Sequence, residues 1–113
     1  MPVTKKAVQY LLGIFMASLL PLSTSVATPL TAERQATLEH LLIQDCGSCH
    51  GLRMTGGLGP ALTPQILADK SRESLIATVM YGRPGTAMPP WDALLNEQDA
   101  TWMIDRLLQG VTP

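Results

Sequence analysis

Two thiols three residues apart, Cys46 and Cys49, are followed at once by the imidazole of His50. On one turn of helix the two sulfurs can add to neighbouring vinyl groups on one edge of a porphyrin, while the next side chain points a ring nitrogen at the iron. Cys-x-x-Cys-His therefore reads as a site for covalent attachment of one haem c, with His50 as the proximal ligand. The same thiols could instead form a redox pair of the thioredoxin kind or half of a zinc site. A redox pair should follow a strand, and a zinc site needs further ligands. The chain offers no such strand, no third cysteine and only one other histidine, His40.

A sixth iron ligand is sought among the methionines. Met54 stands four residues beyond His50, a reach of at most ~14 Å that cannot pass around the macrocycle. Met80 and Met103 fall on helical apolar stripes, where methionine usually fills core. Met88 alone lies in a loop, 38 residues after His50, with Pro89 and Pro90 after it to limit backbone freedom. Met88 is the expected axial ligand, and an open or water-bound position is the alternative. His40, ten residues before His50, reads as a surface histidine, since its helix already leads to the proximal face. The loop after the motif carries four glycines up to Gly59. It reads either as backbone folded under the proximal haem face or as a flexible surface loop. In the first case the carbonyl of Pro60 accepts the bond from the free ring nitrogen of His50.

Helices must position these groups. One is predicted from about Thr31 into Cys46, capped by the Thr31 hydroxyl, with Glu33 at its positive end and Leu38, Leu41 and Leu42 on one face. Thr63-Pro64 starts a short turn, with Pro64 at the first helical position and Thr63 as its cap. A helix from Ser71 to Gly82 carries Leu75, Ile76, Val79 and Met80. The last has an Asn96 cap, Asp99 three residues on, a stripe of Ala100, Met103, Ile104, Leu107 and Leu108, and Gly110 to close it. No stretch alternates as a strand for more than a few residues, so the fold class is all-α, without internal repeats.

The 113 residues suffice for one small domain. Lys5 and Lys6, the apolar run Ala7 to Leu20, Pro21 and the small residues Ser25-Val26-Ala27 make an export signal over 1–27, cleaved after Ala27. A retained anchor is the alternative, but 14 residues fall short of the ~20 of a spanning helix. The domain then covers 28–113, with six basic residues against nine acidic ones, a net charge of −3. That balance argues against a nucleic-acid partner. Only Tyr81, Trp91 and Trp102 supply aromatic bulk there. A domain this small has little core, and a buried haem would supply the missing apolar body.

Taken together, these residues resemble class I cytochromes c. The likeness covers nearly all of 28–113: a helix into Cys-x-x-Cys-His, a Gly-Pro after it, a Met-Pro loop and a terminal helix. More narrowly, Cys46 to Leu62 and Gly82 to Trp91 are similar to the small NirC-type cytochromes found with the cytochrome-cd nitrite reductase of denitrifying bacteria. The resemblance implies three to four helices around one haem, with the first and last crossing near its edge. It implies a periplasmic electron carrier, not an enzyme, with no membrane contact after signal cleavage. The implied partner is cytochrome-cd nitrite reductase or a step in making its haem d, and another periplasmic oxidoreductase is the alternative. Arg53 and Arg83, flanking the two loops, are candidates for a docking rim or for pairing with haem propionates. A thiol oxidoreductase and a haem sensor are the readings from other classes.

Overall fold

The computed structural model describes residues 25–111, so all but the last three residues of the expected export signal lie outside it. Helix α1 spans Ala32–Leu41, with the Thr31 hydroxyl accepting the Arg34 amide at 3.2 Å. The helical path then widens into a π-turn over Leu42–Cys46 and closes with α2, Gly47–His50. The amide of Gly47 reaches back five residues to the Leu42 carbonyl. The expected single helix into Cys46 is thus one path with a wider turn at its end. The extra residue per turn keeps Leu42 and Gly47, five apart, buried on one side.

Helix α3, Pro64–Leu67, has proline in its first turn. The Thr63 side chain makes no capping bond there, contrary to the sequence expectation. Its carbonyl instead takes the amides of Ile66 and Leu67 at 3.0 Å each. Helix α4, Arg72–Tyr81, starts with the Ser71 hydroxyl on the Ser74 amide and stops at Gly82, whose φ of 66° few other residues adopt. Helix α5, Glu97–Gln109, has both arms of the capping box, Asn96 on the Asp99 amide and Asp99 on the Asn96 amide.

No strand occurs among the described residues, and they make the all-α arrangement expected from the sequence. Helix α5 is its spine, packed against α1, α3 and α4. Leu38, Leu42, Met54, Leu67, Ile76, Leu95, Ala100, Met103, Ile104 and Leu107 form the buried cluster. Three bidentate arginine–carboxylate pairs tie other helices to this spine: Arg34 to Asp99, Arg106 to Glu39 and Arg72 to Asp105. Asp99 is 1% exposed yet fully partnered, because Arg34 approaches from outside while Asn96 bonds from the chain before it.

Candidate haem site

The end of the first helical path presents the candidate donors. Cys46 is half-buried and Cys49 exposed, and the two thiols are not joined. Burial, with the Asp45 carboxylate behind it, pushes the Cys46 thiol up to about 11, so at neutral pH it keeps its proton. Among the described residues no group of three or more His, Cys, Asp or Glu side chains is arranged to hold a metal ion.

Residues 51–60 are tied beneath this turn. The amides of Gly56 and Gly59 donate to the carbonyls of His50 and Cys49, both at 2.8 Å, filling acceptors that a helix end leaves open. His50 Nδ1 lies 2.7 Å from the Pro60 carbonyl oxygen. A carbonyl can only accept, so the proton sits on Nδ1 and the lone pair of the neutral ring sits on Nε2. That is the tautomer a metal needs. Gly59 lies against the ring, and a Cβ there would come within 2.8 Å of His50 Cε1 and Nδ1. The loop is therefore a bonded support for the imidazole.

The second loop, between α4 and α5, closes on itself. The Arg83 amide donates to the Met88 carbonyl at 3.1 Å, and the Met88 amide donates to the Thr86 hydroxyl at 3.2 Å. Beyond the two prolines, the Trp91 and Asp92 amides return to the free carbonyls of Val79 and Met80 at the end of α4. Gly82 makes the closure possible, because a Cβ there would meet the Met88 carbonyl oxygen at 2.7 Å. Met88 is held on both sides of its Cα, with its side chain half-buried. By contrast Met54 and Met103 are buried in the core, and Met80 packs against it. His40 is exposed on α1.

The residues fit haem c: two unjoined thiols on one turn, a ring nitrogen left free by its partner, and a thioether in a closed loop. When bound, such a group supplies a one-electron iron couple. Sequence reasoning did not single out Gly59 or Thr86. The signals available were a glycine before Pro60 and a hydroxyl two residues before Met88. It also missed Arg34 as partner of Asp99, since 65 residues separate them. Arg53 and Arg83 are exposed, and among the described residues neither has a carboxylate in ion-pair range.

Comparison with known proteins agrees with this geometry. Residues 33–105 match the family described as cytochrome c oxidase, cbb3-type, subunit III. The chain is 64% identical over 110 residues to cytochrome c55X of Stutzerimonas stutzeri, covering 97% of this chain and 96% of the relative. It superposes on a solved c-type cytochrome NirC with a TM-score of 0.70 at 66% identity, over 71% of this chain and 94% of that one. A second solved structure is dihydro-heme d1 dehydrogenase NirN in complex with DHE. The likeness there is 31% identity and a TM-score of 0.61, over 66% of this chain but 16% of the larger one. From its helices to its attachment motif, the chain belongs to the NirC-type c-type cytochromes, a family built around covalently bound haem c.

Proposed function

We propose that the chain is an exported, periplasmic single-electron carrier of denitrification, holding one haem c through Cys46 and Cys49 with His50 and Met88 on the iron. The observation that carries this reading is the 2.7 Å contact from His50 Nδ1 to the Pro60 carbonyl, which presents Nε2 as a metal ligand while the loop supports the ring. Met88 supports it from a loop closed by its own backbone bonds. With both axial positions filled, the residues leave no place for a substrate on the iron. The chain's task is then to hold the iron six-coordinate and pass electrons through the exposed edge, while catalysis belongs to a partner.

The partner is cytochrome-cd nitrite reductase or a step in making its haem d. The likeness to a segment of dihydro-heme d1 dehydrogenase supports this reading, since a domain of this kind is built into a protein named for haem d1. Arg53 and Arg83, exposed and without carboxylate partners among the described residues, form the cationic rim of the docking surface. Export rests on the basic and apolar pattern of residues 1–27. Among the described residues no helix is long and apolar enough to cross a membrane.

Stopped-flow mixing of the reduced cytochrome with cytochrome-cd nitrite reductase and nitrite tests the assignment. Oxidation should exceed the autoxidation control and slow at low salt when either arginine is reversed in charge. Oxidation no faster than autoxidation sinks the nitrite-reductase assignment and leaves an electron carrier for another oxidoreductase.

A further inference from the structure

Met54 is buried to 2% exposure, yet its backbone φ is +57°, the only positive value among the non-glycine described residues. A left-handed conformation is strained for a residue that carries a side chain. The loop after His50 has glycines that could occupy such a position without cost, so a methionine there needs a compensating gain. Its side chain supplies one. It is the single member of the segment 51–60 in the buried cluster, which otherwise draws on Leu38, Leu42, Leu67, Met103 and others from the helices and the α4–α5 connection. The rest of that segment is exposed or half-buried, with Leu58 at 94%.

Its backbone is engaged as well. The Met54 amide donates to the Gly51 carbonyl, and the Met54 carbonyl accepts the Leu62 amide, both at 2.8 Å. The second of these bonds brackets the stretch that contains Gly56, Gly59 and Pro60, which hold the carbonyls of His50 and Cys49 and the His50 ring. The loop is thus bonded to the ligand helix on one side and sunk into the core at one point on the other.

The geometry points to Met54 as the positioning residue of the proximal ligand. Its buried side chain fixes the height of the loop beneath His50, and so fixes the Pro60 contact that sets how strongly the imidazole donates. This inference rests on His50 being an iron ligand, and goes beyond that reading by placing control of the ligand in a core residue four positions further along the chain.

The test uses the holoprotein and its variants Met54→Leu, Met54→Ala and Met54→Gly, read by NMR of the ferrous state. The readout is the solvent exchange rate of the His50 Nδ1 proton, with the reduction potential measured in parallel. Met54→Ala should speed exchange at least tenfold and raise the potential, because a ring with a weaker Pro60 bond donates less to ferric iron. Met54→Leu should stay within threefold of the parent. Met54→Gly removes the backbone penalty together with the anchor, and should behave like Met54→Ala. Exchange within twofold of the parent in Met54→Ala and Met54→Gly, even with a lowered melting temperature, overturns the proposal, because a merely structural residue would act that way. Failure of the ligand reading shows separately: the parent protein would then lack ring-current-shifted His50 signals, and this proposal would fall with it.

Discussion

Gly59→Ala is expected to damage the site through one atom. The added Cβ would lie 2.8 Å from both Cε1 and Nδ1 of His50 and 3.3 Å from Nε2. Carbon contacts are comfortable at about 3.5–4.0 Å, so the ring or the loop must retreat by roughly 0.7 Å. Retreat is not free, because the ring is bonded to Pro60, the next residue, and the Gly59 amide is bonded to the Cys49 carbonyl. Gly59 does not lie in the left-handed region, so alanine adds no backbone strain and the cost isolates the contact. Overpacking of this kind costs about 1–3 kcal/mol, and a weakened hydrogen bond adds about 0.5–1.5 kcal/mol. Together that is about 1.5–4.5 kcal/mol. In a domain of this size each kcal/mol lowers Tm by about 4–8 °C, which gives a fall of about 6–36 °C. The assay is thermal unfolding of the holoprotein followed by far-ultraviolet circular dichroism, with the reduction potential measured on the same samples. The potential should rise as the imidazole becomes a poorer donor. Gly110→Ala serves as comparison, because its φ of 95° strains any side chain but its Cβ would meet only Pro64 Cγ at 3.6 Å. That variant should lose some stability and keep its potential. A Gly59→Ala protein with Tm within about 2 °C of the parent, on the scale of 4–8 °C per kcal/mol, and an unchanged potential would refute the argument.

Four further outcomes are expected. Removing the clamp by Asp99→Ala deletes a buried carboxylate together with its two arginine bonds and its capping bond and should cost about 2–3 kcal/mol, whereas Asp69→Ala, whose Lys70 partner is 3.9 Å away in solvent, should cost nothing measurable in urea unfolding. Hydrogen bonds from Arg34, Arg106 and Arg72 hold the carboxyls of Asp99, Glu39 and Asp105 below the usual range, so their stabilisation is complete above the unfolded value of about 4 and is lost as pH falls through the folded values; a series of unfolding midpoints from acid to neutral pH should show this, with a shallower slope for Asp99→Asn. Met88→Ala should abolish the sulfur-to-iron band of the oxidised spectrum and let carbon monoxide bind the reduced haem, while Cys46→Ala with Cys49→Ala should leave no haem on the acid-acetone-denatured protein; an unchanged Met88→Ala spectrum, or haem retained by the double variant, contradicts the corresponding assignment.

The helices were legible because their signals are local. Asn96 and Asp99 announce the start of α5 within four residues, Ser71 and Gly82 bracket α4, and Thr31 opens α1. The attachment motif is legible for the same reason, since its spacing is its chemistry. What could not be read depends on three-dimensional return of the chain. The amide of Gly59 meets Cys49 only because the loop turns back, and nothing in Gly-Leu-Gly-Pro distinguishes that from a free loop. The π-turn is silent too, since Leu42 to Cys46 has no residue that disfavours an ordinary helix. Thr63 shows the opposite error: a good capping residue stands in the right place, but its side chain makes no capping bond.

The three arginine clamps also impose an order in time. Each ends on α5, at Asp99, Asp105 or Arg106, and each joins residues 33 to 67 apart in the chain. A chain appearing from its amino end exposes Cys49 fifty residues before Asp99. Until those fifty residues have followed, the thiols exist and the spine does not. No clamp can close in that interval. The last helix to be made thus acts as a latch, and in the gap before it Cys46 and Cys49 stand on an open chain.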